Sequence, residues 1–183
     1  MDGWPVLSKG VEVEFVRVNE RMCLARVRRA DGALLETTAT AKSGIPHDLE
    51  HFVVESGFHY QEGIWGLIAR GAEFASMRVA TTKARRRPRA QNRALARGYD
   101  GWGEHLVSSV VAVYRDLKAG GWCPPALPPR LPASNALLDP RGCVPIRVII
   151  TGEALHQAFV DLDVAERQWA SLPIGGSLRR SWP

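Results

Sequence analysis

The chain lacks most of the motifs that assign a sequence to a functional class at once. Its 183 residues contain no Gly-x-Gly-x-x-Gly, no P-loop and no Gly-x-Ser-x-Gly. Nucleotide cofactors and serine hydrolase chemistry therefore have no support in the sequence. A run of about 18 apolar residues is also missing, so the sequence predicts no membrane-spanning helix.

Cysteine is scarce, and the N-terminus has no signal-peptide pattern. Cys23, Cys123 and Cys143 are widely spaced and form no Cys-x-x-Cys pair. An odd count at such spacings is typical of reduced thiols in a reducing compartment. Residues 1–5 contain an acid and a proline where a signal peptide has a basic start and an apolar core. We therefore expect a cytoplasmic protein without membrane contact.

The composition is ordinary, but the charge is very unevenly distributed. A hydrophobic content of 45% and a charged content of 23% are typical of a globular protein, and the length favours a single domain over residues 1–183. The net charge is +5, yet residues 78–97 contain eight basic residues and no acid, so the remainder carries −3. We predict two excursions from the domain, a basic arm at 78–97 and a proline-rich loop at 122–140.

Alternating apolar and polar residues predict three strands at 11–18, 22–28 and 33–40. Asp31 and Gly32 form the turn signal of a hairpin between the second and third strands. The predicted fold class is α+β, with an N-terminal three-stranded antiparallel meander, about four helices and further strands near the C-terminus. The predicted helices lie at 46–56, 64–69, 88–97, 102–118 and 152–171, and the later strands at 144–150 and 177–182.

The helix predicted at 46–56 concentrates side chains that bind metals. His47, His51 and Glu55 are spaced by four residues, so they lie within a sector of about 80° on one face. Glu55 is about 12 Å along the axis from His47, which is too far for one ion to bind both. Two ligand sets stay open: His47 with His51, or His51 with Glu55, to which His59 could be added after the turn at Gly57. The expected cofactor is zinc or another divalent metal.

The segment from His47 to His51 resembles the zincin motif His-Glu-x-x-His, with Asp48 in place of the glutamate. That resemblance implies that Asp48 is a general base acting on metal-bound water. Aspartate is one methylene shorter than the glutamate of the family, and the metzincin glycine and histidine are replaced by Val54 and Gly57. The His-Asp pair is also found in HD phosphohydrolases, but no histidine precedes His47.

A wider resemblance covers most of the chain except the basic arm and the proline-rich loop. The sequence Pro-His-Asp-Leu-Glu-His-Phe-Val-Val-Glu at 46–55, followed by Gly-Ile-Trp-Gly at 63–66, is similar to an uncharacterised family of small bacterial proteins. The resemblance implies a strand-rich start, this helix and a tryptophan-containing end. It implies no activity.

Two alternatives to a metal-dependent, hydrolase-like protein stay open. The histidine helix could be purely structural, in a structural or assembly protein, since an i, i+4 contact of His51 with Glu55 is worth about 0.2–0.5 kcal/mol. Alternatively, the chain could be a binding module for nucleic acid or an acidic partner. Glu104 and His105 are further candidates for a ligand or a base. The residues of the basic site are Lys83, Arg85, Arg86, Arg87, Arg89, Arg93 and Arg97.

Overall fold

The N-terminal alternation produces the predicted meander. A computed structural model describes residues 10–41, 44–80, 89–99, 101–126, 128 and 150–183. Strands β1 (Val11–Asn19), β2 (Met22–Arg29) and β3 (Leu34–Thr40) pair antiparallel. Phe15 lies opposite Ala25, and Val27 lies opposite both Val13 and Leu35. These side chains are buried, so one face of the sheet carries the core, as predicted.

Two later segments extend the sheet at its edges. Strand β4 (Arg78–Val79) pairs with β3, and the C-terminal strand β5 (Ser177–Trp182) pairs with β1. The sheet order is β4-β3-β2-β1-β5, with all pairings antiparallel. The α+β class and the C-terminal strand are therefore confirmed, while residues 144–149 of the other predicted strand lie outside the described residues.

The described residues form five helices, one at each of the five predicted positions, although the fold class was stated with about four. They are α1 (His47–Gly57), α2 (Ile64–Ala69), α3 (Arg89–Arg97), α4 (Trp102–Ala119) and α5 (Gly152–Ser171). Thr151 caps α5, since its hydroxyl accepts a hydrogen bond from the N–H of Ala154 at 3.1 Å. Within the described ranges, none of these helices combines the length and the apolar composition that crossing a bilayer requires.

Helix α1 lies at the centre of the fold. Phe52 contacts Phe15, Trp65 and Trp182 edge to face, with ring centroids 5.4–5.8 Å apart, which holds the helix against the sheet. The opposite side of α1 packs on α4 and α5. All residues from Leu49 to Glu55 are consequently buried, including three charged or titratable side chains. An amphipathic pattern would leave those side chains in water, so their burial is a property of the tertiary packing.

The start of α1 differs slightly from expectation. Pro46 was predicted as the first helical residue, but its ψ of 140° is extended and places it before the helix. Its carbonyl still accepts hydrogen bonds from the N–H groups of Leu49 and Glu50, at 2.9 and 3.0 Å. His47 is therefore the first helical residue, and its side chain is about half exposed.

The two predicted excursions are described only in part. The ends of the basic segment form β4 and α3, whereas residues 81–88 lie outside the described residues. Of the proline-rich loop, residues 122–126 and 128 are described. Trp122 is buried there and donates from Nε1 to the carbonyl of Ala126 at 2.7 Å. Cys23 and Cys123 are both free thiols.

Candidate metal centre

Three side chains from two helices converge at the start of α1. His47 and His51 are neighbours on α1, with ring centroids 4.6 Å apart. Glu104, in the first turn of α4, places Oε1 3.0 Å from Nε2 of His47 and Oε2 3.0 Å from Nε2 of His51. Each residue offers one ligand atom, and the three atoms lie within 4.8 Å of one another. Within the described ranges, this is the only cluster that meets that condition.

The contact between His51 and Glu104 is a buried ion pair. His51 is 1% exposed, and its Nε2 lies 3.0 Å from Glu104 Oε2. Apart from this ion pair, Nε2 has no hydrogen-bond partner among the described atoms. Two ligands of a tetrahedral zinc ion, each bound at about 2.0–2.1 Å, lie about 3.3 Å apart. The spacing is therefore close to that of two atoms that share an ion, and it equally fits an ion pair between the two side chains.

Glu55 orients His51 from the opposite side of the ring. Its Oε1 accepts a hydrogen bond from Nδ1 of His51 at 2.9 Å, which directs the Nε2 edge of the ring towards Glu104. The same carboxylate accepts the N–H groups of Ile64 and Trp65, at 3.1 and 2.9 Å, at the start of α2. Glu55 is completely buried and therefore fixed. A carboxylate behind a ligating histidine is a common feature of protein metal sites.

The carboxylates of Glu104 and Glu55 control the charge of His51. Burial lowers the pKa of His51, but contacts with Glu104 and Glu55 outweigh burial and raise it to about 9. His51 correspondingly lowers the pKa of Glu104. Without a metal, His51 is thus a cation between two anions. A divalent ion would replace that proton with a larger positive charge between the same groups.

Asp48 lies beside the cluster with one oxygen unsatisfied. Its Oδ2 is buried without a hydrogen-bond partner, and it lines a cavity of about 130 Å³ together with His51, Trp65 and Tyr99. Burial raises the pKa of Asp48, an effect that the positive charges of His51 and His47 oppose. The backbone is fixed, since Nε1 of Trp65 donates to the Asp48 carbonyl at 3.1 Å. A carboxylate placed in this way is suited to accept a proton.

The structure brings some of the predicted site residues together and separates others from them. His47 and His51 meet as predicted, and Asp48 adjoins them. Glu55 is on the Nδ1 side of His51, and His59 is exposed in the turn after α1 with a φ of 51°. Neither residue belongs to the convergent set among the described side chains. Glu104 belongs to it, and its only sequence signals were its acidity and its place in the first turn of a predicted helix.

The basic segment is partly described. Lys83, Arg85, Arg86 and Arg87 lie outside the described residues, as does the side chain of Arg89. Arg93 and Arg97 are exposed on α3 and line a second cavity.

The comparisons with known proteins return no match to this chain, whether against protein-family models, curated proteins or solved structures.

Proposed function

We propose that the protein binds a divalent transition-metal ion, most naturally zinc, through His47, His51 and Glu104, and uses it in a hydrolase-like reaction. The observation that carries the proposal is the convergence of three ligand atoms, one of them the buried Nε2 of His51. Imidazole nitrogen and carboxylate oxygen are ligands that zinc prefers. The revised ligand set exchanges Glu55 and His59 for Glu104.

The ligand count favours catalysis over a purely structural metal. Structural zinc sites use four protein ligands, whereas catalytic sites use three and leave a position for water or substrate. Two histidines and a glutamate form such a three-ligand set. A metal in this position would lower the pKa of bound water, and Asp48 is the nearby side chain with a free buried oxygen to accept the proton. Glu55 is a positioning residue that holds the His51 ring.

Metal content of the protein, purified without a histidine tag, tests the proposal. We expect about one zinc per chain after dialysis against zinc and then buffer. Glu104→Gln should lower the zinc affinity by about 100-fold, since a neutral amide is a poor zinc ligand. Glu104 has a half-exposed side chain, so this change leaves the core intact. His105→Ala is the matched control, because His105 follows Glu104 but is exposed and outside the cluster.

The result that would contradict the proposal is equally direct. Wild-type protein with no measurable zinc, cobalt or manganese after loading would leave the cluster as an ion pair between a cationic His51 and two carboxylates. Equal zinc affinity in wild type and Glu104→Gln would remove Glu104 from the ligand set.

We expect the protein to act in a reducing cytoplasm, where the thiols of Cys23 and Cys123 stay unpaired.

A further inference from the structure

A larger cavity adjoins the candidate metal centre. Phe74 and Met77 line the small cavity next to His51, and the same two side chains line a second cavity of about 700 Å³. That volume lies within the range of small-molecule sites, about 300–1,000 Å³. The two cavities therefore share an apolar wall, and a ligand lying along it has His51 and Asp48 at one end.

The far side of the larger cavity carries two arginines from α3. Arg93 and Arg97 are four residues apart and thus lie on one face of the helix, with Ala96 beside them on the cavity wall. Two like charges at this spacing destabilise a helix slightly unless an anion lies between them. Guanidinium groups bind phosphate and carboxylate through paired N–H donors.

These two arginines differ from most others in the described chain. Eight described arginines each contact a carboxylate, Arg29 and Arg115 among them. Neither Arg93 nor Arg97 forms an ion pair with a described residue. Their positive charge is therefore available to a ligand.

The acid that lines the cavity, Glu73, is engaged by Asn92. Glu73 lines the same cavity, but it is buried and its Oε1 accepts a hydrogen bond from Nδ2 of Asn92 at 2.9 Å. The N–H of Glu73 also donates to the carbonyl of Asn92. These bonds fasten α3 to the segment before β4. The helix that carries Arg93 and Arg97 is thereby held at the wall of the cavity.

We propose that this cavity binds a small organic anion, whose phosphate or carboxylate pairs with Arg93 and Arg97 and whose apolar part lies on Phe74 and Met77. Its far end reaches His51, a proposed ligand of the metal, so the anion is the substrate class of the site. The assignment of the anion as substrate rests on the proposed metal-dependent function. The pairing of the anion with Arg93 and Arg97 does not, since it uses no residue of the metal cluster.

The first experiment is a titration of the full chain, metal-free and zinc-loaded, with phenyl phosphate and with phenylacetate. We expect binding of at least one of the two, weakened about tenfold or more in Arg93→Gln/Arg97→Gln because two charge-assisted contacts are lost. Arg21→Gln is the matched control: Arg21 is exposed in the β1–β2 turn and does not line the cavity. The two ligands separate a phosphate from a carboxylate preference.

The second experiment tests the link between the cavities. In protein loaded with paramagnetic cobalt, the aromatic protons of the bound ligand should relax faster than in zinc-loaded protein. Metal binding without arginine-dependent ligand binding overturns the inference and leaves the metal centre standing. Arginine-dependent ligand binding to a protein that takes no metal overturns the metal centre, and with it the shared substrate. Salt-dependent binding of a single-stranded oligonucleotide, without binding of either small anion, replaces the small-molecule inference with the nucleic-acid alternative.

Discussion

Two clusters of charged side chains lie at opposite ends of the α4 helix, and they differ in how completely their atoms are paired. Near its C-terminus, Lys118 donates to Oδ1 of Asp163 at 2.9 Å and to Oε2 of Glu166 at 2.7 Å. Nε of Arg167 donates to the other oxygen of Asp163, and the hydroxyl of Tyr114 donates to Glu166 at 2.7 Å. Each carboxylate therefore meets a donor, and the cluster ties α4 to α5.

At the N-terminus of the same helix, Glu104 joins a cluster with an unpaired atom. His51 Nε2 is paired with Glu104, but Asp48 Oδ2 is buried without a hydrogen bond. Unsatisfied buried groups are costly. The Lys118 cluster is thus accounted for by its own ion pairs and hydrogen bonds, whereas the His51 cluster leaves a buried oxygen for which the proposed metal site supplies a role.

The variant with the largest expected effect on the difference between the two clusters is Gly63→Ala, which displaces the carboxylate of Glu55. A Cβ built on Gly63 overlaps the Glu55 carboxylate, so Gly63→Ala must displace it. We expect an about 10–100-fold loss of zinc affinity, as for other groups behind a metal ligand, and a fall in stability of about 1–3 kcal/mol from overpacking. Gly57→Ala is the matched control, because a Cβ there meets nothing within 4 Å. Equal zinc affinity in both variants would contradict the role of Glu55.

Removing Lys118 should affect stability without affecting metal binding. Burial works to raise the pKa of Asp163 and of Glu166. Lys118, together with Arg167 at Asp163 and Tyr114 at Glu166, outweighs burial and holds both pKa values below their ordinary 3.8 and 4.5. Carboxyls with lowered pKa values stabilise the fold above those ordinary values, and the stabilisation is lost as the pH falls. Lys118→Met should therefore lose about 1–2 kcal/mol at neutral pH.

Chemical denaturation across the acid range measures this prediction. The stability of wild type should fall steeply below about pH 5, and that of Lys118→Met should fall less. Zinc affinity at neutral pH should match that of wild type. Parallel curves for the two proteins would show that Lys118 does not control the two carboxyls.

Neutralising one aspartate in each cluster should change the stability in opposite directions. Asp163→Asn puts an amide where Arg167 and Lys118 both donate, so we expect a loss of about 1–3 kcal/mol. Asp48→Asn removes a buried charge with an unpaired oxygen, so metal-free protein should gain up to about 1 kcal/mol. Thermal unfolding without metal compares the two. Destabilisation by both changes would remove the distinction between the clusters.

The smallest expected effect concerns Cys23, whose pKa is influenced by the charge of Asp48. Burial raises the pKa of Cys23 to about 12, and the negative charge of Asp48 adds to that effect. Alkylation followed by peptide mass spectrometry should modify exposed Cys123 first and leave Cys23 intact until the protein unfolds. Early modification of Cys23 in the native protein would show that the core beside Asp48 opens readily.

The sequence was sufficient to predict the strands of the meander, the α+β class and the meeting of His47 with His51. These features depend on local alternation and on the spacing of residues within one helix. Strand β4 was not among the predicted strands and lies in the predicted basic arm, since two residues carry no periodicity and their pairing with β3 depends on where the chain returns.

Only the tertiary structure decided which residues complete the candidate site. Glu104 and His51 are 53 positions apart, and no spacing rule connects the first turn of one helix with the face of another. The same packing buried both sides of α1 and turned Glu55 from a candidate ligand into the group that orients His51. Local periodicity determined the faces of each element. The convergence of side chains depended on how those faces were brought together.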